Sequence, residues 1–225
     1  MLVNRKAIFS CVVLLFALAA TPLAKPASFS FAGTFTGDDN LRLFNFTLNS
    51  TSSVTLPTWS YGGGTDASGQ LIPSGGFSTV LSLFSGSGTL IDFAIAGGCP
   101  PQRLDASTGL CGDTILKHTL TAGNYILALT EDFNIPNGLN LSDGFLEDGQ
   151  GNFSGPLICG VSGSFYDFDC NKRNGNFALD IIGADTASAG TNVPEPANFL
   201  LFCSGFAALA LFLGRCRKKF GGATC

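Results

Sequence analysis

Between residue 28 and about residue 188 the hydrophobic positions recur at every second residue. In SFSFAGTFT, Phe29, Phe31, Gly33 and Phe35 share one face; in NLRLFNFTLN, Leu41, Leu43, Asn45 and Thr47 oppose Arg42, Phe44, Phe46 and Leu48. A period of two places neighbouring side chains on opposite sides of an extended chain, so each run predicts a strand with one face buried. The same alternation marks 53–61, 78–84, 89–96, 114–120, 124–130 and 176–182. Turns rich in Gly, Ser, Asn and Asp separate these runs, and no long amphipathic helix intervenes. About eight short antiparallel strands of this kind predict an all-β domain over 28–188, an antiparallel sandwich of the jelly-roll type.

The pattern breaks at both ends into unbroken apolar segments. The first, AIFSCVVLLFALAA, follows Arg5 and Lys6 and leads into TPLAKPA. A basic start, a short greasy run and then small residues with prolines predict a secretory signal helix over 1–24, cleaved within 19–27 and delivered to the Sec translocon. A permanent N-terminal anchor is the alternative, against which stands a run shorter than the ~20 residues of a full span. The second segment, NFLLFCSGFAALALFLG at 198–214, follows the linker 189–197 with its Pro194-Glu195-Pro196. It precedes the basic stop Arg215, Arg217, Lys218 and Lys219 within the tail 215–225. Seventeen residues of helix at ~1.5 Å each give about 25 Å, the short end of a bilayer span. The basic stop keeps the tail cytoplasmic and the domain outside the inner membrane.

Pro-Glu-Pro, an apolar helix and a basic end, in that order, resemble the PEP-CTERM sorting signal of Gram-negative bacteria. The resemblance implies recognition of Pro194, Glu195 and Pro196 by exosortase, a membrane cysteine transpeptidase thought to remove the helix and release or re-attach the exported protein. Here Cys216 interrupts the basic cluster and Phe-Gly-Gly-Ala-Thr-Cys follows it, unlike the Arg-rich end usual in that family. Within the domain, LRLFNFTL, STVLSLFSGSGTLID and HTLTAGNYILALTED resemble the bacterial pre-peptidase C-terminal domain. That family implies a jelly-roll-like sandwich, with calcium or polymer binding in some members. The stretches TWSYGGGTDASGQLIPSGGF, GGCPPQRLDASTGLCGD and NLSDGFLEDGQGNF are similar to an uncharacterised family of exported PEP-CTERM proteins, which implies no reaction.

Charge narrows the partners. The chain has 225 residues, 45% hydrophobic and 12% charged, with 29 Gly and 21 Phe, a mixture incompatible with disorder. Six of the twelve Lys/Arg and one of the sixteen acids lie in the two ends, leaving fifteen acids against six bases between them, a formal −9. Such a field repels phosphate backbones, so nucleic acid is not a partner.

Of the eight cysteines, Cys99, Cys111, Cys159 and Cys170 fall in the exported domain. In an oxidising compartment they predict disulfides, the simplest pairing being Cys99–Cys111 with Cys159–Cys170; a zinc site is the competitor, poorly served by a single histidine. That histidine, His118, sits in an alternating run and reads as an edge-strand residue. No serine nucleophile elbow is present. Asp38 and Asp39 before a strand, and Asp143, Glu147, Asp148 and Asn152 in LSDGFLEDGQGNF, are hard oxygen ligands of the kind calcium uses, although the EF-hand spacing fails; Asx-capped turns are the alternative. Two such acids could also serve as a glycosidase pair. Trp59 and Tyr61, two apart, form either a platform for sugar rings or core. The expectation is an exported, exosortase-sorted surface or matrix protein without catalytic activity, meeting exopolysaccharide or protein. The alternative is a secreted carboxylate-dependent hydrolase or an accessory module of one.

Overall fold

A computed structural model of the chain describes residues 27–97 and 104–190. Eleven strands occur among the described residues, in two antiparallel sheets and a small hairpin. The four-stranded sheet runs β1 (Ser28–Thr34), β10 (Asn176–Ile182), β3 (Ser52–Pro57) and β8 (Ile115–Leu120). The five-stranded sheet runs β11 (Thr186–Ala189), β2 (Arg42–Leu48), β9 (Gly123–Glu131), β6 (Thr79–Ser85) and β7 (Leu90–Ala94). The hairpin is β4 (Gly64–Thr65) with β5 (Leu71–Ile72). With the hairpin and β11 set aside, the remaining eight strands interleave between the sheets, β1, β10, β3, β8 facing β2, β9, β6, β7. That alternation is the order of a jelly roll built from two Greek keys.

The alternating residues face each other across the sandwich. Phe44, Phe46 and Leu48 of β2, Val54 and Leu56 of β3, Leu81 and Leu83 of β6, Leu127 and Leu129 of β9, and Phe177, Leu179 and Ile181 of β10 form one buried cluster. Gly33 has a specific reason to be glycine, because a Cβ there would meet the ring of its cross-strand partner Phe177.

Two excursions cover the outer faces that a bare sandwich would expose. Leu43, Phe84 and Ala128 point away from the main core and pack with Phe145, which the segment 139–146 brings down over the five-stranded sheet. Phe145 meets Phe84 edge-on at 6.4 Å. On the other side, Asp180 is fully buried, accepting from the Ser30 hydroxyl at 2.6 Å, the Trp59 indole N–H at 2.7 Å and the Ala67 N–H at 2.9 Å. The last two bonds draw the β4–β5 hairpin across the four-stranded sheet.

Strand directions alternate along the chain, so connections fall at two ends. The turns 49–51, 86–89, 121–122 and 183–185 are short. The connections 35–41, 58–78, 95–114 and 132–175 are long and are tied together by backbone bonds such as Phe35 N–H to Gly175 O at 2.8 Å, Thr58 N–H to Thr114 O at 2.9 Å and Thr79 N–H to Gly112 O at 3.0 Å. This loop end holds the polar chemistry.

Candidate functional site

At the loop end, carboxylates replace the backbone partners that irregular chain lacks, since a buried N–H without an acceptor is costly. Asp113 is fully buried and accepts the N–H groups of Ser60 at 2.6 Å, Tyr61 at 3.2 Å and Gly62 at 2.8 Å, with the Thr58 hydroxyl at 2.9 Å. Burial nevertheless pushes its carboxyl above the usual range. Asp38, also fully buried, accepts from the N–H and hydroxyl of Ser154 and from Phe165 N–H at 2.6 Å, tying 35–41 to 132–175. Beside Asp113 lies Tyr61, fully buried, its ring against Gly112 so closely that a Cβ there would overlap it. The Arg173 guanidinium stacks 3.8 Å from the centre of that ring. Arg173 donates to the Tyr61 carbonyl at 2.8 Å, to the Gly76 carbonyl at 3.1 Å and to Asp105 at 2.7 Å. The Tyr61 hydroxyl donates to Asp167 at 2.5 Å and lies 3.2 Å from the Thr108 hydroxyl.

This assembly is a clamp. Asp105 comes from the segment bounded by Cys99 and Cys111, and Asp167 from the loop bounded by Cys159 and Cys170, so Tyr61 and Arg173 join both cysteine-bounded loops to the end of the sandwich. Burial opposes ionisation of Asp105, but the Ser107 hydroxyl, the Arg173 guanidinium and the N–H groups of Ser107 and Thr108 overcome it and hold the carboxyl well below the ordinary range. Burial and the bond to Asp167 push the Tyr61 phenol up to about 12. The phenol is thereby held in its neutral form and the guanidinium is paired beneath the surface.

Above the clamp the rim differs. Phe168 is 73% exposed and stacks on Phe133 at 5.7 Å and 24°. Phe133 holds φ at +74°, a left-handed conformation that costs a bulky residue of order 1–2 kcal/mol. The turn Glu131–Asn134 fixes it, Asn134 N–H reaching Glu131 O at 3.1 Å and Ile135 N–H reaching Phe133 O at 2.9 Å. Below this turn Glu131 is buried, with one carboxylate oxygen lacking a partner, and Asn134, fully buried, has an amide nitrogen lacking one. Burial and then the neighbouring Asp38, Asp132 and Glu147 drive the Glu131 carboxyl well above its ordinary range.

No protein-family model and no curated protein matches the chain. Among solved structures it is similar to the pre-peptidase C-terminal domain of collagenase from Bacillus anthracis, at 10% identity and a TM-score of 0.32, over 72% of this chain and 89% of that one. The sandwich assignment stands on the strand pairing itself.

The sequence-predicted residues fare differently. Cys159 and Cys170 are disulfide-bonded to each other. Cys111 is disulfide-bonded too, while Cys99 lies outside the described residues. His118 is half-buried on β8, an edge strand, as expected. The Trp59–Tyr61 platform is corrected: Tyr61 is wholly inside, and Trp59 packs against Gly64 and is held by Asp180. A buried acceptor on each ring decided the matter, and spacing alone carried no sign of it.

The candidate calcium ligands each hold local donors. Asp38 is buried in its bonds to Ser154 and Phe165; Asp39 accepts from Gly151 N–H at 2.9 Å, Asp143 from Asn140 N–H at 2.9 Å and Asp148 from Phe145 N–H at 2.8 Å. These are turn caps, and among the described residues no three carboxylates, histidines or cysteines are grouped to hold a metal. For the hydrolase alternative, one open depression is lined by Asn45, Thr47, Asn124, Tyr125, Thr186 and Ser188 with Phe46, Gly86 and Ile126, and contains no carboxylate. The sorting residues Pro194, Glu195 and Pro196, the basic stop and both apolar segments lie outside the described residues; among the described residues no helix is long and apolar enough to cross a membrane. Asp105, Asp113, Glu131, Asp167, Arg173 and Asp180 were not legible as a group. Their one sequence signal is an acid-rich domain with few bases.

Proposed function

We propose that this chain is an exported surface or matrix protein, taken across the inner membrane by the Sec translocon and sorted by exosortase through Pro194-Glu195-Pro196, with a β-sandwich that has no catalytic activity of its own. The observation that carries the reading is the ordered C-terminal grammar: Pro-Glu-Pro, seventeen residues without a charge, then Arg215, Arg217, Lys218 and Lys219. Support for a non-catalytic domain comes from the clamp, whose ionisable groups are paired below the surface. The cystine Cys159–Cys170 and the disulfide-bonded Cys111 suit an oxidising compartment, and exopolysaccharide is the polymer such a location would bring to the protein.

Deletion of 193–225, or Glu195→Ala in the full chain, tests the sorting. The expected result is loss of the shortened, relocated form, with the Glu195→Ala protein retained in the inner-membrane fraction. Unchanged processing and unchanged fractionation would overturn the reading.

A further inference from the structure

The chain leaves the sandwich at a defined corner. β11 ends beside the start of β2, with Ala189 opposite Phe44 and Gly190 N–H on Leu43 O at 2.8 Å. Because β2 enters from the connection 35–41, this corner belongs to the loop end. β9 lies on the other flank of β2, about 5 Å away, and Phe133 stands two residues past its final Glu131. Seven residues, 191–197, then separate Gly190 from the apolar segment at 198. Fully extended they reach at most about 25 Å.

The two ends of the sandwich differ in what they show to solvent. The turns 49–51, 86–89, 121–122 and 183–185 contain no large hydrophobic residue, although the exposed Leu139, whose carbonyl accepts from Leu90 N–H at 2.8 Å, stands beside 86–89. At the loop end Leu157 is 62% exposed, Val161 43% and Phe168 73%, with Phe133 stacked on Phe168. Val161 and Phe168 lie in the loop closed by Cys159–Cys170, Leu157 stands two residues before it, and Asp167 ties that loop to Tyr61. Apolar side chains on a braced loop lose little further freedom when they meet a surface.

We propose that, while the chain is anchored, the loop end faces the bilayer and sets Phe133, Leu157, Val161 and Phe168 against the surface of neutral phospholipid; this rests on the anchoring by 198–214 proposed above. Neutral headgroups are specified because Asp148 and Asp169 are exposed at the same end and would be repelled by anionic lipid over roughly one Debye length, about 10 Å at 0.1 M salt. The anchor brings the surface within reach, so a weak contact suffices, the short tether keeping its effective concentration high. Removal of the helix would release the contact together with the protein.

Full-length chain reconstituted in phosphatidylcholine vesicles with brominated acyl chains tests this through indole quenching. Phe168→Trp and, as a second site should that variant misfold, Leu157→Trp are compared with Ser87→Trp in the opposite turn, each read as the difference from the parent, whose only tryptophan is Trp59. The expected result is at least twofold stronger quenching at position 168 or 157 than at position 87, reduced when a third of the lipid is made anionic at low salt. Equal, weak quenching at both ends in chain that floats with the vesicles would overturn the orientation and leave the anchoring intact. Chain that fails to float with the vesicles would overturn the anchoring, and the orientation with it.

Discussion

Glu131 shows how a single residue can work against its own fold. Its carboxyl is buried, one oxygen is unpartnered, and Asp38, Asp132 and Glu147 add repulsion, so the folded form favours the protonated acid. A raised folded pKa means that this group's stabilising contribution is complete below the unfolded pKa and disappears as pH rises through the folded value. Glu131→Gln is therefore expected to raise urea stability at pH 7 by on the order of 1–2 kcal/mol, with the gain shrinking as pH falls toward 4; an equal gain at both pH values would contradict the cause. Asp105 has the opposite sign. Its carboxyl is held low by Ser107, Arg173 and Thr108 against the effect of burial, so its contribution is present above the unfolded pKa and is lost as acid titrates the folded group. Arg173→Ala leaves that carboxylate buried and unpaired, and a loss of about 3–5 kcal/mol at neutral pH is expected from denaturant melts. Restoring most of it with the double variant Arg173→Ala, Asp105→Ala would show that the orphaned charge, and not lost packing on Tyr61, dominates.

At the scale of elements the strands and the loops obey different rules. β2, β6, β8, β9 and β10 were legible to within about a residue or two, the usual uncertainty of element ends, because a two-residue period over Phe, Leu and Ile is a local signal. The segment 132–175 was not, since its role is set by what it covers. LSDGFLEDGQGNF reads as an acidic ligand loop, yet Phe145 is its working residue, buried against Phe84 on the outer face of the five-stranded sheet. Asp143 and Asp148 cap the turns that deliver it. Phe145→Ala is thus expected to cost about 3–5 kcal/mol, measurable in a urea titration, whereas Asp143→Asn is expected to change stability by less than about 1 kcal/mol because the exposed cap keeps an amide acceptor. The clamp was illegible for a related reason: Tyr61, Asp105, Asp167 and Arg173 come from three connections, and only the jelly-roll topology brings them to one end. The cystine Cys159–Cys170, separated by 11 residues, was legible from an even cysteine count and spacing. Opening it with Cys159→Ser and Cys170→Ser together is expected to cost about 3 kcal/mol by loop-closure entropy and to make 151–173 the first segment cut by protease.

Across the whole molecule the acids are placed unevenly, and that placement separates two accounts of a stretch, 25–188, with a formal −9. If the charge existed to gather calcium, several carboxylates would share one space with oxygens free to coordinate. Instead Asp38, Asp105, Asp113 and Asp167 each face inward and hold N–H or hydroxyl donors of irregular chain, the service that a ladder partner performs inside a sheet. Long loops over a small sandwich need many such acceptors, and the net charge is their by-product. The remaining exposed carboxylates repel one another, a repulsion that salt screens. A calcium ion bound only to the folded state, at a hundredfold excess over its Kd, would add about 2.7 kcal/mol, several degrees in the melting temperature of a domain this size. The expected outcome is that millimolar calcium raises the melting temperature no more than sodium chloride of equal ionic strength, and that chelator does not lower it. A calcium-specific rise would show that carboxylates now assigned to backbone caps leave them to bind the ion, and would move the origin of the acidic surface from loop architecture to ligand binding.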